Sequence, residues 1–139
     1  MEGIFPQFSR LERPWYDLWV TYAGVLHALG EHERELEIAR DGRGKLPSSL
    51  PLMQAEGRAL AALGRSQECD VLVDEIRHQP MRPGAHPGLA LEVVAQELRA
   101  HELAAAARDA LDRALAWHVE QPKEFREAGG ARDPGATPL

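Results

Sequence analysis

The residues of this 139-residue chain with the most obvious chemical potential are six histidines, His27, His32, His78, His86, His101 and His118. Ligands carried by one helix must recur at i, i+3 or i+4 to share a face, and no two of these histidines do. Neither His32-Glu33-Arg34-Glu35 nor His101-Glu102-Leu103-Ala104 runs on to the second histidine of a zinc-protease helix. Imidazole is favourable at helix C-termini and in polar turns, and the six are expected there, with Trp117 and His118 on the packing face of the last helix. An enzyme, the most distant alternative, would need a cluster of histidines and carboxylates that the predicted helices place far apart, and three of them within reach of one metal ion would argue for it. No metal site, no cofactor and no catalytic residue is expected.

Other chemistry is excluded residue by residue. Ala39-Arg40-Asp41-Gly42-Arg43-Gly44-Lys45-Leu46 has the look of a phosphate-binding loop, but that motif needs glycine at Ala39, Ser or Thr at Leu46, and a preceding strand. Cys69 stands alone, with no CxxC partner, at an apolar-periodic position where burial would make its thiol inert. The acidic run Glu31 to Glu37 interleaves with Arg34 at a helix start, where the helix dipole favours carboxylates and solvent covers them. Trp15, Tyr16 and Trp19 could form a ligand platform, but Trp15 and Trp19 share one apolar stripe and are expected in the core; the stripe does not assign Tyr16.

The elements that must position these residues are helices. Leu and Ala dominate the apolar residues, and strand-favouring β-branched and aromatic residues are sparse. The formal net charge of -6 argues against a binder of phosphate backbones, and nucleic acid is not expected as a partner. The first residues lack the pattern of a secretory signal, and no uninterrupted apolar stretch is long enough to span a membrane. With a single cysteine, these features fit a protein of the cytoplasm.

Apolar spacing predicts six helices. The first carries Trp15, Leu18, Trp19, Tyr22, Leu26 and Leu29 on one face and ends at Gly30; the second runs through Leu36 and Ala39 to Leu46, with Gly42 and Gly44 loosening its second half. The third runs from Pro51 to Gly64, and the fourth shows Cys69, Leu72, Val73 and Ile76 and stops near His78. The segment from Gln79 to Gly88 holds three prolines and is a loop. The fifth carries Leu91, Val94, Ala95 and Leu98, and the sixth Ala104, Ala107, Leu111, Ala114, Leu115 and His118. Residues 1–14 form a lead segment, 15–120 the helical domain, and 121–139 a tail too poor in apolar residues to order itself.

Ala28-Leu29-Gly30 recurs as Ala62-Leu63-Gly64, 34 residues on, and a third turn at Arg99-Ala100-His101-Glu102 follows with four extra residues assignable to the Pro-rich loop. This period and these turns resemble the tetratricopeptide repeat family, in divergent, bacterial-type form. Aligned on the turns, Trp19, Met53 and Leu91 match the family's large apolar position, Ala23, Gly57 and Ala95 its small one, and Leu26, Leu60 and Leu98 the apolar position after it. In the second helix of each repeat, Cys69 and Ala107 match the small slot and Val73 and Leu111 the large one, with Pro47 at the closing proline. Glu35, Glu56 and Glu102 depart from the pattern.

The resemblance implies an all-α, right-handed superhelical solenoid of about three antiparallel hairpins, without enzymatic activity, that binds a protein segment in its concave groove. Carried over position by position, the groove would be lined by Val20, Gly24 and His27, by Gln54, Arg58 and Ala61, and by Glu92, Gln96 and Arg99. Arg58 and Arg99 would suit a carboxylate on the partner. The family's chaperone-binding subset clamps a terminal carboxylate with Lys and Asn, where this chain has Val20 and Gly24. The alternative is a structural or oligomerisation module of a larger protein, a homodimer or an array with a missing neighbour, that uses its uncapped helical ends.

Overall fold

The computed structural model describes residues 12–82 and 85–122. The lead segment before Glu12, the side chains of Trp15 and Tyr16, and the tail from Lys123 onward lie outside the described residues. Among the described residues six helices follow one another: α1 (Glu12–Ala28), α2 (His32–Lys45), α3 (Leu50–Ala62), α4 (Ser66–Arg77), α5 (Pro87–Ala100) and α6 (Ala104–Glu120). No strand is present among the described residues. None of these helices is long and apolar enough to cross a membrane.

Local chemistry explains most of the boundaries. Before α3, the Ser49 hydroxyl accepts from Leu52 N–H at 3.3 Å, and Pro51 stands in the first turn, where its missing N–H costs nothing. Before α5, His86 Nδ1 accepts from Leu89 N–H at 3.1 Å and Pro87 follows it. Between α4 and α5, Arg82 and Ala85 exchange two backbone hydrogen bonds of 2.9 and 3.1 Å, which closes the Pro-rich loop on itself.

The turns α1–α2, α3–α4 and α5–α6 share one construction. Gly30, Gly64 and Glu102 all adopt left-handed backbone, with φ of 78°, 74° and 63°. In each, that residue's N–H reaches the carbonyl three residues back, at His27, Ala61 and Arg99. The next N–H reaches five back, to Leu26, Leu60 and Leu98, at 2.9 Å every time. This is the Schellman arrangement, which satisfies carbonyls left over at a helix end. The same bonds thus build all three helix-to-helix turns.

Within each hairpin the paired helices pack together, and α3 also packs against α1, α2 and α5, while α4 touches α5 and α6. The main core draws on α2 to α6, with Met53, Leu60, Ile76, Leu91, Val94 and Leu98 at 1 % exposure or less. A second cluster sets Trp19 against Leu52, with Val20, Ile38 and Leu46 around it. Gly57 belongs to this packing because a Cβ there would come within 2.8 Å of Val94 on α5. Gly42, expected to loosen α2, instead admits Leu52 and Trp19, which would stand 3.0 to 3.1 Å from a Cβ.

Leu18, Leu29 and Leu115, all expected on buried stripes, lie outside the core, at 46 %, 68 % and 64 % exposure. An apolar stripe on a helix is wider than the strip its neighbours cover, so spacing alone does not say which edge stays wet.

Candidate functional site

The α1–α2 turn gathers a cluster of ionisable side chains that the one-helix ligand rule does not anticipate. His27 lies in the last turn of α1, His32 begins α2, and Glu35 sits one turn further on. Because the Schellman turn folds the chain back, residues five apart in sequence come face to face. Glu35 is buried to 2 % side-chain exposure, His27 to 15 % and His32 to 20 %. His27 Nδ1 approaches Glu35 Oε2 at 2.8 Å and Oε1 at 3.0 Å, and His32 Nδ1 approaches Oε1 at 2.8 Å. One potential ligand atom from each of the three lies within 4.8 Å of the others.

Helix α5 completes the cluster from the third hairpin. Glu97 Oε2 stands 3.1 Å from His27 Nε2 and 3.0 Å from His101 Nε2, and Arg58 Nε of α3 donates to Glu97 Oε1 at 3.4 Å. The His32 and His101 rings meet edge to face at 6.1 Å. Burial alone would raise the Glu97 carboxyl, but the hydrogen bond from His101 and the nearby His27 and Arg58 outweigh it and hold Glu97 below its ordinary range. Side chains of α1, α3 and α5 thus converge on one place.

The expectation that helices keep histidines and carboxylates apart is therefore corrected: His27, His32 and Glu35 are within reach of a single ion. The separation of these groups is thus no longer an argument against catalysis. The sequence does hold a signal, in the i, i+3 pair His32 and Glu35 just after a turn glycine, with His27 three residues before it. Ligand spacing tested along single helices misses it, because the three residues meet across the turn.

The other anticipated groove residues scatter. Gln54 is half-buried, and Gly24, Gln96 and Arg99 are exposed. Ala61, expected to face a partner, is fully buried in the main core, because α3 is packed on several sides at that level. Val20 is held against the Trp19 and Leu52 cluster. Glu92 lies 3.6 Å from His118 of α6. His86, Trp117 and His118 form a separate stack, with centroids 4.8 Å apart for His86 and Trp117 and 5.4 Å for His86 and His118. Residues 39–45 lie within α2 and form no phosphate loop.

Two of the residues that depart from the family pattern also find partners. Glu35 is held by the histidines, and Glu56, 6 % exposed, accepts from Arg40 at 3.0 Å and Arg43 at 2.6 Å, both on α2. Arg40 and Arg43 reach on to Glu68 and Glu75 of α4 at 3.2 and 2.7 Å. In comparisons with known proteins, no family model, no curated protein and no solved structure matches the chain.

Proposed function

We propose that this chain is a binding scaffold: a tetratricopeptide-like superhelical array of three helical hairpins whose first helices, α1, α3 and α5, form a concave face that holds a segment of a partner protein. One observation carries the reading. His27 of α1 and Arg58 of α3 both meet Glu97 of α5, so the first helices of all three hairpins turn polar side chains towards a common face. Surfaces of this kind recognise extended or helical segments by mixing charged and apolar contacts along their length. Arg99 and Gln96 are exposed on α5, one turn apart, and offer a guanidinium and an amide that could meet a partner's carboxylate and backbone.

The test is a capture experiment with the wild-type chain beside an Arg99→Ala, Gln96→Ala variant, chosen because neither residue supports the core or the histidine cluster. Partners identified by mass spectrometry that bind the wild type and are lost from the variant support recognition at this face. Identical sets for both chains refute it.

A second reading, oligomerisation through the helical ends, draws on Leu115 and Val119, one turn apart on α6 and 64 % and 62 % exposed. Light scattering on a Leu115→Ser, Val119→Ser variant decides it. A wild-type mass above the monomer that falls to the monomer in the variant favours this reading, and a monomeric wild type rejects it.

A further inference from the structure

We propose that His27, His32 and Glu35 form a binding site for a divalent transition-metal ion, zinc by its ligand chemistry, with Glu97 orienting His27 from across the groove. The inference goes beyond the groove reading and stands whether or not a partner binds there.

The argument begins with hydrogen-bond accounting. Glu35 is a buried carboxylate facing Nδ1 of two imidazoles, and both ring nitrogens of His27 face carboxylate oxygens, Nδ1 towards Glu35 and Nε2 towards Glu97. A neutral imidazole has one N–H, so both contacts on His27 can be hydrogen bonds only if its ring is an imidazolium or a cation binds at one of the two nitrogens. A metal ion among the three groups meets this requirement with His27 neutral. His27 Nδ1, His32 Nδ1 and a Glu35 oxygen would all present lone pairs to it, and the proton of His27 would sit on Nε2 and be donated to Glu97. The ion's positive charge also offsets the Glu35 carboxylate, which has no arginine or lysine against it among the described residues.

The surroundings match what metal sites need. A histidine that binds a metal through one nitrogen almost always gives its other N–H to a carboxylate or carbonyl, and Glu97 is so placed, itself fixed by His101 and Arg58. Two imidazoles and one carboxylate are a zinc donor set that leaves a fourth position for water or a group brought by a partner. Calcium and magnesium prefer oxygen ligands throughout, and first-row ions at the end of the affinity series are favoured by imidazole. The ligand atoms lie 2.8 to 3.0 Å apart along the His–Glu contacts. Bonds of about 2.0–2.1 Å in a tetrahedral site would separate them to roughly 3.4 Å, a shift that side-chain rotation can supply.

The test is zinc binding by the purified full chain, freed of metal beforehand, in competition with a chromogenic chelator. The expected result is one zinc per chain for the wild type, undisturbed by excess magnesium. His32→Ala and Glu35→Gln abolish the tight site, and Glu97→Gln weakens it by about 10- to 100-fold. His78→Ala, which removes an exposed histidine on the far end of α4, leaves binding unchanged. Cobalt in place of zinc gives the intense visible bands of a four-coordinate ion, and these are lost in His32→Ala. Circular dichroism confirms that the variants fold, and His32→Gln serves as a milder substitution at the partly exposed start of α2. The proposal is overturned if the wild type takes up no stoichiometric zinc, if His32→Ala and His32→Gln bind as tightly as the wild type, or if His78→Ala loses as much affinity as His32→Ala.

Discussion

Cys69 is 1 % exposed and donates its thiol to Gly57 O at 3.7 Å, under the packing of α3 on α4. Burial pushes the thiol up to about 12, and the negative charges of Asp70 and Glu56 add to the effect. Unfolded, it ionises near its ordinary value, so above about pH 8.5 the unfolded chain sheds a proton that the folded chain keeps. The contribution of this group to stability is therefore complete below that pH and is lost as the pH rises towards 12. Denaturant midpoints of the wild type and Cys69→Ala, measured from about pH 8 to about pH 11, are expected to converge as the pH rises; a constant gap would refute the assignment. Glu56 makes a different point at the same scale. It is a buried acid that the repeat pattern would fill with an apolar residue, and it is stabilised because Arg40 and Arg43 reach it from α2. Glu56→Ala strips Arg43, only 20 % exposed, of its closest partner. The expected cost is about 2 to 4 kcal/mol, at or below the range for broken buried pairs because Arg40 remains solvated, and urea denaturation reads it directly.

Among the elements, the three Schellman turns invite a paired experiment. Gly30 and Gly64 hold left-handed backbone in open space, with no atom within 4 Å of where a Cβ would stand, so Gly30→Ala or Gly64→Ala suffers only the backbone penalty of about 1–2 kcal/mol. Glu102 already bears that penalty, and Glu102→Gly should raise stability by up to about 1 kcal/mol, less the extra entropy glycine carries in the unfolded chain. Thermal melts should move down for the two alanine variants and up for Glu102→Gly; a destabilised Glu102→Gly would mean that its side chain matters more than its backbone. Most helix boundaries are legible in the sequence because Gly30, Gly64 and Pro51 are local signals that act through their own backbone, whereas Pro87 and Gly88, expected in the Pro-rich loop, open α5 instead because proline is tolerated in a helix's first turn. The recurring core positions are legible too: Trp19, Met53 and Leu91 are buried, as are Leu26, Leu60 and Leu98. What spacing does not supply is the rotation of each helix against its neighbours, so Leu18, Leu29 and Leu115 share an apolar stripe with core residues and yet stay in solvent. Ala61, which the family resemblance would turn towards a partner, falls in the core because α3 is covered by several neighbouring helices.

For the molecule as a whole, the cluster that single-helix spacing hides is also the feature that changes how the fold should come apart. In a linear array each hairpin touches only its neighbours, and the ends unfold independently of one another. Here Glu97 of the third hairpin lies against His27 of the first, and Arg58 of the second bonds to the same carboxylate, so one side chain ties all three together. Such contacts depend on how α1, α3 and α5 pack against one another, a property of packing angles that no residue spacing encodes. Removing the tie should leave the local hairpins intact and weaken their coupling. Glu97→Ala is expected to broaden the denaturant transition, with a lower apparent m-value, and to speed hydrogen exchange in α1 and α2 more than in α3 and α4. If the variant instead unfolds in a single transition of undiminished m-value, with exchange raised evenly along the chain, the three hairpins are joined by their apolar core alone and the polar tie contributes nothing to cooperativity.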